Sequence, residues 1–199
     1  MRTRVSMTIA AIALAIAPSM AWADGYFVPF IGANFGGDVG LPLTESVRDR
    51  NRVSYGFGLG AMAGGIFGIE FDLGYTNNFY ASNGTVVTKS NLLTAMPALV
   101  IGIPIGGQNG PSIRPYGVAG AGLLKRDLDF ATIEPFSEND FGYVLGGGIM
   151  GYFSQHVGLR GDVRYFRNFQ VDEISLNGID VEKGTFHFGR GTIGVLFRF

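Results

Sequence analysis

Few residues in this sequence have the chemistry to act on a substrate, and the most suggestive are a serine and a histidine. Ser154 and His156 lie two residues apart, which could bring a hydroxyl and an imidazole together in a barrel enzyme acting on lipid A. Such a pair also requires a third group to orient the base, and a histidine in a turn is more often a solvated residue. We therefore predict no enzymatic role and no catalytic residue.

The second histidine, His187, follows the acidic residues Asp180 and Glu182. This pattern is too weak to indicate a metal site. The sequence contains no cysteine, which excludes thiolate metal sites and disulfides. The glycine run at 146–148 lies inside a predicted strand, and no helix follows it to complete a phosphate-binding loop. The sequence thus predicts no cofactor and no metal.

Charged residues at alternating positions in three segments form the remaining candidate site. If they face the interior of a barrel, four arginines and three carboxylates share a confined space in which most can pair. One interpretation is a salt-bridged plug, which the narrow interior of an eight-stranded barrel favours; the other is a gated path for ions or small solutes. Inward glycines such as Gly56, Gly58 and Gly60 could leave local cavities. The predicted lumenal charge cluster consists of Glu70, Asp72, Arg160, Asp162, Arg164, Arg190 and Arg198.

Strands must position these residues, because apolar side chains recur with a period of two. In the third predicted strand Phe67, Ile69 and Phe71 alternate with Glu70 and Asp72, and the seventh strand alternates in the same way. Eight segments bounded by turn residues have strand character. They are 25–35, 53–63, 66–76, 91–105, 113–124, 140–153, 157–166 and 185–199.

Two features of these strands are less regular. Pro97 interrupts the fourth strand, and we expect a β-bulge there because proline cannot donate a ladder hydrogen bond. The first and fifth strands are rich in glycine and contain Pro29 and Pro115, so their sequences do not indicate which side chains face outward.

The connections alternate in length. Short turns are predicted at 64–65, 106–112 and 154–156, and long loops at 36–52, 77–90, 125–139 and 167–184. Long extracellular loops and short periplasmic turns are typical of outer-membrane barrels, and binding functions are usually carried by loops. The third loop together with Asp140, residues 125–140, carries a net charge of −3, and the fourth loop carries −2. They could attract divalent cations or a cationic partner, although such charges are ordinary for solvated loops.

The two ends of the sequence indicate export and membrane insertion. Arg2 and Arg4 precede an apolar stretch and a small-residue site at 21–23, which predicts a cleaved signal peptide over 1–23 and a barrel domain over 24–199. The last eight residues alternate polar and apolar positions and end on an aromatic residue. They resemble the C-terminal assembly signal of bacterial outer-membrane barrels, carried by Thr192, Gly194, Phe197 and Phe199.

Composition supports the same class. The chain is 47% hydrophobic, yet beyond residue 23 no apolar run approaches the length of a transmembrane helix. A closed barrel pairs every backbone group within lipid. Removing Arg2 and Arg4 from 15 basic residues leaves 13 against 16 acidic ones, a net charge of −3, which gives no support for nucleic-acid binding.

Three segments carry a family resemblance. FGYVLGGG at 141–148 and HVGLRGDVRYF at 156–166 resemble the sixth and seventh strands of OmpA-like, opacity-type barrels, and RPYGVAGAG at 114–122 is similar to the fifth. The resemblance implies a small eight-stranded outer-membrane protein, without shared catalytic residues, acting in envelope integrity, adhesion or surface antigenicity. The sequence lacks the peptidoglycan-binding domain of full-length OmpA-type proteins, so a cell-wall tether is not expected.

We therefore predict an all-β protein, an eight-stranded antiparallel up-and-down transmembrane β-barrel in the outer membrane of a Gram-negative bacterium. Its expected role is structural or surface-interactive, through the four long loops. The expected partners are outer-membrane lipid, the barrel-assembly machinery during insertion, and an extracellular ligand or host surface. A narrow channel for ions or small solutes is the main alternative. A lipid-modifying enzyme and a soluble ligand-binding barrel are less favoured.

Overall fold

A computed structural model describes the parts of the chain that form the barrel wall. The described residues are 23–38, 52–77, 87–106, 111–130, 136–169, 173–176, 179–182 and 186–199. The predicted signal peptide, apart from Ala23, lies outside these residues and remains a prediction. Within the described ranges, no helix is long and apolar enough to cross a membrane.

Antiparallel pairing closes the wall strands into a barrel. The order around the wall is β1-β2-β3-β4-β6-β7-β8-β11, and β11 pairs with β1 to close it. Counted over the described residues, eight strands build the wall, which confirms the predicted eight-stranded antiparallel barrel. The short β5 pairs beside β6, and β9 and β10 form a separate hairpin. The strands are β1 Ala23–Asp38, β2 Arg52–Ala63, β3 Phe67–Asn77, β4 Val87–Gly102, β5 Ile105–Gly106, β6 Ser112–Phe130, β7 Phe136–Tyr152, β8 Val157–Asn168, β9 Glu173–Leu176, β10 Ile179–Glu182 and β11 His187–Arg198.

The two ends of the barrel differ. The short connections β2–β3, β4–β6 and β7–β8 lie at one end together with the start of β1 and the end of β11, and we call this the turn end. The connections β1–β2, β3–β4, β6–β7 and β8–β11 lie at the other, which we call the loop end. The predicted short turns and long loops are therefore grouped at opposite ends, although between strands the β6–β7 connection, 131–135, is shorter than the β4–β6 connection, 103–111.

Two of the predicted loops contain more strand than the sequence suggested. β6 and β7 stay paired as far as Leu128 and Phe136, so most of the predicted loop 125–139 is a β-hairpin. The predicted loop 167–184 contains the β9–β10 hairpin. Charged residues suggested loops at both places, but antiparallel pairing satisfies the backbone whatever the side chains are.

The predicted bulge at Pro97 is wrong. Pro97 pairs with Phe71 of β3, and the β3–β4 register continues unshifted on both sides of it. The register between β4 and β6 is also the same at Ala95–Leu123 as at Ala98–Gly120. Pro97 therefore interrupts the hydrogen-bond ladder toward β6 without inserting an extra residue.

The outward face of the wall is apolar. Phe67, Ile69 and Phe71 of β3 are 64%, 56% and 41% exposed, whereas Glu70 and Asp72 between them are buried. This is the reverse of a soluble ligand-binding barrel, and it suits a wall surrounded by lipid. The stripe at the end of the chain follows the same rule, with Ile193, Val195, Phe197 and Phe199 exposed.

The structure also defines the two strand faces that could not be assigned from the sequence. In β1, Tyr26 and Val28 are buried while Phe27 is exposed. In β6, Arg114 and Tyr116 are buried while Ile113 is exposed. Even-numbered residues of these strands therefore face the lumen.

Candidate functional site

The most polar part of the interior is a charge network that crosses the lumen. Its carboxylates Glu70 and Asp72 come from β3, whereas Arg160, Asp162 and Arg164 come from β8. Three wall strands separate β3 from β8 in either direction around the barrel. Because these two strands lie on opposite sides of the wall, ion pairs between them span the lumen.

Arg160 makes the best-aligned of these ion pairs. Its Nη1 donates to Glu70 Oε2 at 2.5 Å and its Nη2 to Glu70 Oε1 at 3.0 Å, a two-point contact between guanidinium and carboxylate. Its Nε also donates to Asp162 Oδ2 at 3.0 Å. Arg160 is 4% exposed and Glu70 is 3% exposed, so the ion pair is shielded from solvent.

Arg164 and Arg190 extend the network toward the loop end. Arg164 Nη2 lies 2.7 Å from Glu70 Oε1 and 3.1 Å from Asp162 Oδ2, and its Nη1 lies 3.1 Å from Asp72 Oδ2. Arg190 donates to Asp72, and also to Thr94 Oγ1 at 3.1 Å. The central network therefore contains three arginines and three carboxylates, and its formal charge is balanced.

Two tyrosines complete the network, and neither was predicted from the sequence. The Tyr26 hydroxyl donates to Glu70 Oε2 at 2.7 Å. The Tyr116 hydroxyl donates to Asp162 Oδ2 at 2.6 Å and accepts from Arg160 Nε at 2.6 Å. Tyr26 lies on β1 and Tyr116 on β6. These are the two strands whose faces could not be assigned from the sequence.

Inward glycines of β2 make room for these large side chains. A Cβ atom at Gly60 would lie 2.5 Å from the ring and hydroxyl of Tyr26, and one at Gly56 would lie 2.8 Å from the Phe30 ring. At Gly58 it would lie 3.5 Å from both Arg160 and Glu70. The missing side chains on β2 are thus replaced by rings and by the network itself.

An aromatic column continues from the network toward the loop end. The Arg190 guanidinium lies 4.7 Å from the Phe166 ring centre. Phe166 stacks on Phe188 with centroids 4.7 Å apart, and Phe186 packs on Phe188 at 5.5 Å. At the far end the Arg126 guanidinium lies 4.8 Å from Phe186. These three phenylalanine rings, with a guanidinium at each end, therefore occupy the lumen between the network and the loop end.

Arg198 lies apart from the other predicted members of the cluster. It is near the turn end, with Nη1 3.9 Å from Asp24 Oδ2 and its guanidinium 5.3 Å from the Tyr152 ring centre. Arg114, which the sequence analysis did not select, makes matching contacts with Asp24 and Tyr152. Arg198 shares the inward face because of its parity, but it sits too close to the strand end to reach β3.

Of the residues considered for catalysis and metal binding, Ser154 and His187 have structural contacts. The Ser154 hydroxyl accepts hydrogen bonds from the backbone N–H groups of His156 and Val157 at 3.3 and 3.1 Å, which shapes the β7–β8 turn. His187 packs against Tyr165. Asp180 and Glu182 lie in β10, where only the backbone is described. Over the described residues, no group of three or more potential ligands could hold a metal ion.

The proposed assembly-signal residues lie on both faces of β11. Phe197 and Phe199 face outward and are 43% and 74% exposed. Thr192 faces inward, where its hydroxyl donates to Asp162 Oδ1 at 2.8 Å. A Cβ atom at Gly194 would lie 2.8 Å from the Val28 side chain and 3.1 Å from that of Phe30. This inward position is therefore suited to glycine.

Comparison with known proteins gives a consistent result. Residues 8–199 match the family described as outer membrane protein beta-barrel domain. No curated protein has significant sequence similarity to the chain. The likeness to solved structures is one of fold, because sequence identity to them is low.

Three solved structures illustrate this likeness. Neisserial surface protein A has a TM-score of 0.62 and 14% identity, covering 89% of this chain and 99% of that one. OprG of Pseudomonas aeruginosa has a TM-score of 0.54 and 14% identity, covering 89% and 96%. Ail, the attachment invasion locus protein of Yersinia pestis, has a TM-score of 0.53 and 13% identity, covering 89% and 98%.

Proposed function

Because this chain belongs to the outer membrane protein β-barrel family, we propose that it is a barrel with a sealed lumen that presents its loop end for surface interaction. The family indicates an outer-membrane location. In the proposed orientation the loop end lies outside the cell, because long loops of such barrels are extracellular. It acts without catalysis, and its wall strands hold the extracellular segments in place. Its insertion uses the barrel-assembly machinery, which reads the stripe that ends on Phe199.

The charge network is the observation that supports a sealed lumen. Arg160 and Arg164 reach across the lumen to Glu70, and both arginines and the carboxylate are at most 4% exposed. The interior of an eight-stranded barrel is just wide enough for side chains to fill it. An ion would therefore have to displace paired groups, at the cost of leaving a buried charge uncompensated.

The loop end supports a role in surface interaction. β6 and β7 continue as a paired hairpin to Leu128 and Phe136, and β9 and β10 form a second hairpin outside the wall. The segments 125–140 and 167–184 carry net charges of −3 and −2. Ail, whose fold is similar, is named as an attachment protein. The acidic segments of this chain favour a cationic partner surface.

Planar-bilayer recording tests the sealed lumen. We expect no steady conductance from the wild type, because the central ion pairs block the lumen. We also expect Arg160→Ala to create intermittent conductance, because it removes the two-point contact with Glu70. Steady wild-type conductance that changes in Arg160→Ala would instead establish the alternative, a narrow channel.

Binding of proteoliposomes to charged surfaces tests the loop end. We expect retention on immobilised polylysine and not on heparin. Retention should fall when Glu173, Asp180 and Glu182 are replaced together by their amides. Asp24→Asn, which removes one acidic charge at the turn end, is the control and should not change retention. Retention on heparin, or unchanged polylysine binding by the triple variant, would contradict the proposal.

A further inference from the structure

Outward-facing tyrosines mark the level at which the wall leaves the lipid on the extracellular side. Tyr55 and Tyr75 pack edge to face with centroids 5.6 Å apart. Tyr165 lies near the loop end of β8, and Tyr143 lies within β7, in register with Arg167. Nearer the turn end, β8 presents the apolar residues Val157, Leu159 and Val163 on its outward face. Aromatic residues in such bands lie among the lipid headgroups.

An arginine faces outward at this level. Arg167 is the outward residue that follows Tyr165 on β8, and it is exposed. Its cross-strand neighbours are Tyr143 on β7 and His187 on β11. The wall thus places a guanidinium on the lipid-facing surface, at the height of the headgroups.

Two aromatic pairs flank this arginine. Tyr143 packs against Phe169 with ring centroids 5.4 Å apart, and Tyr165 packs against His187 at 5.9 Å. The end of β8 is fixed to its neighbour by the hydrogen bond from Phe169 N to Phe141 O at 2.8 Å. The four rings therefore form a bracket around Arg167 that is held by the strand ladder.

Arg167 differs from the lumenal arginines in having no carboxylate partner among the described residues. Within the described ranges, no hydrogen bond or ion pair involves its side chain. A guanidinium binds phosphate by two parallel hydrogen bonds. The membrane surface around the barrel supplies such groups on its lipids.

We propose that Arg167 and its bracket, Tyr143, Phe169, Tyr165 and His187, form a binding site for the phosphate group of an outer-leaflet lipid. The guanidinium binds the phosphate, and the rings pack against the sugar or glycerol and the upper acyl chain. This site lies at the loop end of the wall and faces the lipid, and its test does not depend on the proposed surface interaction.

Native mass spectrometry of the full barrel in detergent micelles tests the site. The probes are lipid A with both phosphates and lipid A with its phosphates removed. We expect the wild type to prefer the phosphorylated lipid, and Arg167→Gln to weaken its binding about fivefold, since one basic residue near a charged lipid surface contributes about that much. Arg167→Lys should retain more affinity than Arg167→Gln.

A matched pair of aromatic variants gives the control. Tyr143→Ala should weaken binding of the phosphorylated lipid, whereas Tyr75→Ala, in the same band but away from Arg167, should not. Folding of every variant is checked by heat-dependent gel mobility. Equal affinity of folded Arg167→Gln and wild type, or equal binding of both lipids by the wild type, would overturn the proposal. Release of the lipid by millimolar inorganic phosphate would overturn its assignment to a lipid.

Discussion

At the residue scale, Arg164 holds the central network together. Its guanidinium is within 3.1 Å of carboxylate oxygens of Glu70, Asp72 and Asp162. The side chain is 2% exposed, so water cannot take over these contacts if it is removed. Its role in stability should therefore be larger than that of any single exposed charge.

We predict that Arg164→Met destabilises the barrel by about 3–5 kcal/mol, because it leaves buried carboxylates with too few cations. Urea unfolding in lipid vesicles, followed by the loss of heat-dependent gel mobility, measures the change. Val163→Ala, on the outward face beside it, is the control and should cost less than about 1.5 kcal/mol. Similar unfolding midpoints for the two variants would mean that the network contributes little.

At the element scale, the β2–β3 turn sets the register of its hairpin. Gly64 and Gly65 have φ angles of 57° and 71°, and Ile66 N donates to Ala63 O at 3.1 Å. Positive φ at both central residues is the geometry of a type I′ turn, whose twist matches that of the paired strands. A Cβ atom at Gly64 would have no atom within 4 Å, so only the backbone conformation disfavours a side chain there.

Substitution at Gly64 should therefore follow the conformational preference of the new residue. We expect Gly64→Ala to destabilise the barrel by about 1–2 kcal/mol, the cost of the left-handed conformation for an L-residue. Gly64→Asn should cost less, because asparagine tolerates this conformation. The same urea titration gives both values, and an equal loss for Asn and Ala would show that conformation is not the cause.

How far the sequence predicts the site depends on the strand. In β3 and in the first part of β8 polar and apolar residues alternate, so the inward positions of Glu70 and Arg160 could be predicted. In β1 and β6 glycine and proline dilute the alternation, and Tyr26 and Tyr116 were missed for that reason. The ion pairs between side chains of β3 and β8 could not be predicted either. They depend on strand order and stagger and not on local periodicity.

At the scale of the whole molecule, the grouping of the connections at the two ends of the barrel predicts its orientation in the membrane. Positions between β6 and β7 should be outside the cell, and the β7–β8 turn should be in the periplasm. The sequence has no cysteine, so a single introduced thiol can report on each side.

We expect a membrane-impermeant maleimide to label Thr132→Cys on intact cells but not Gln155→Cys. Both variants should be labelled after the outer membrane is permeabilised, which controls for thiol reactivity. Labelling of Gln155→Cys on intact cells would place the turn end outside and contradict the orientation.

The lumenal ion pairs also constrain how the barrel can enter the membrane. Glu70 precedes Arg160 by 90 residues, and Asp72 precedes Arg190 by 118. While the wall is half built, these carboxylates have no counter-ion, and exposing them to hydrocarbon is costly. The early strands must therefore stay hydrated until the last strands arrive. Insertion should be a late and concerted step, which follows the contact of β3 with β8 and β11 across the lumen.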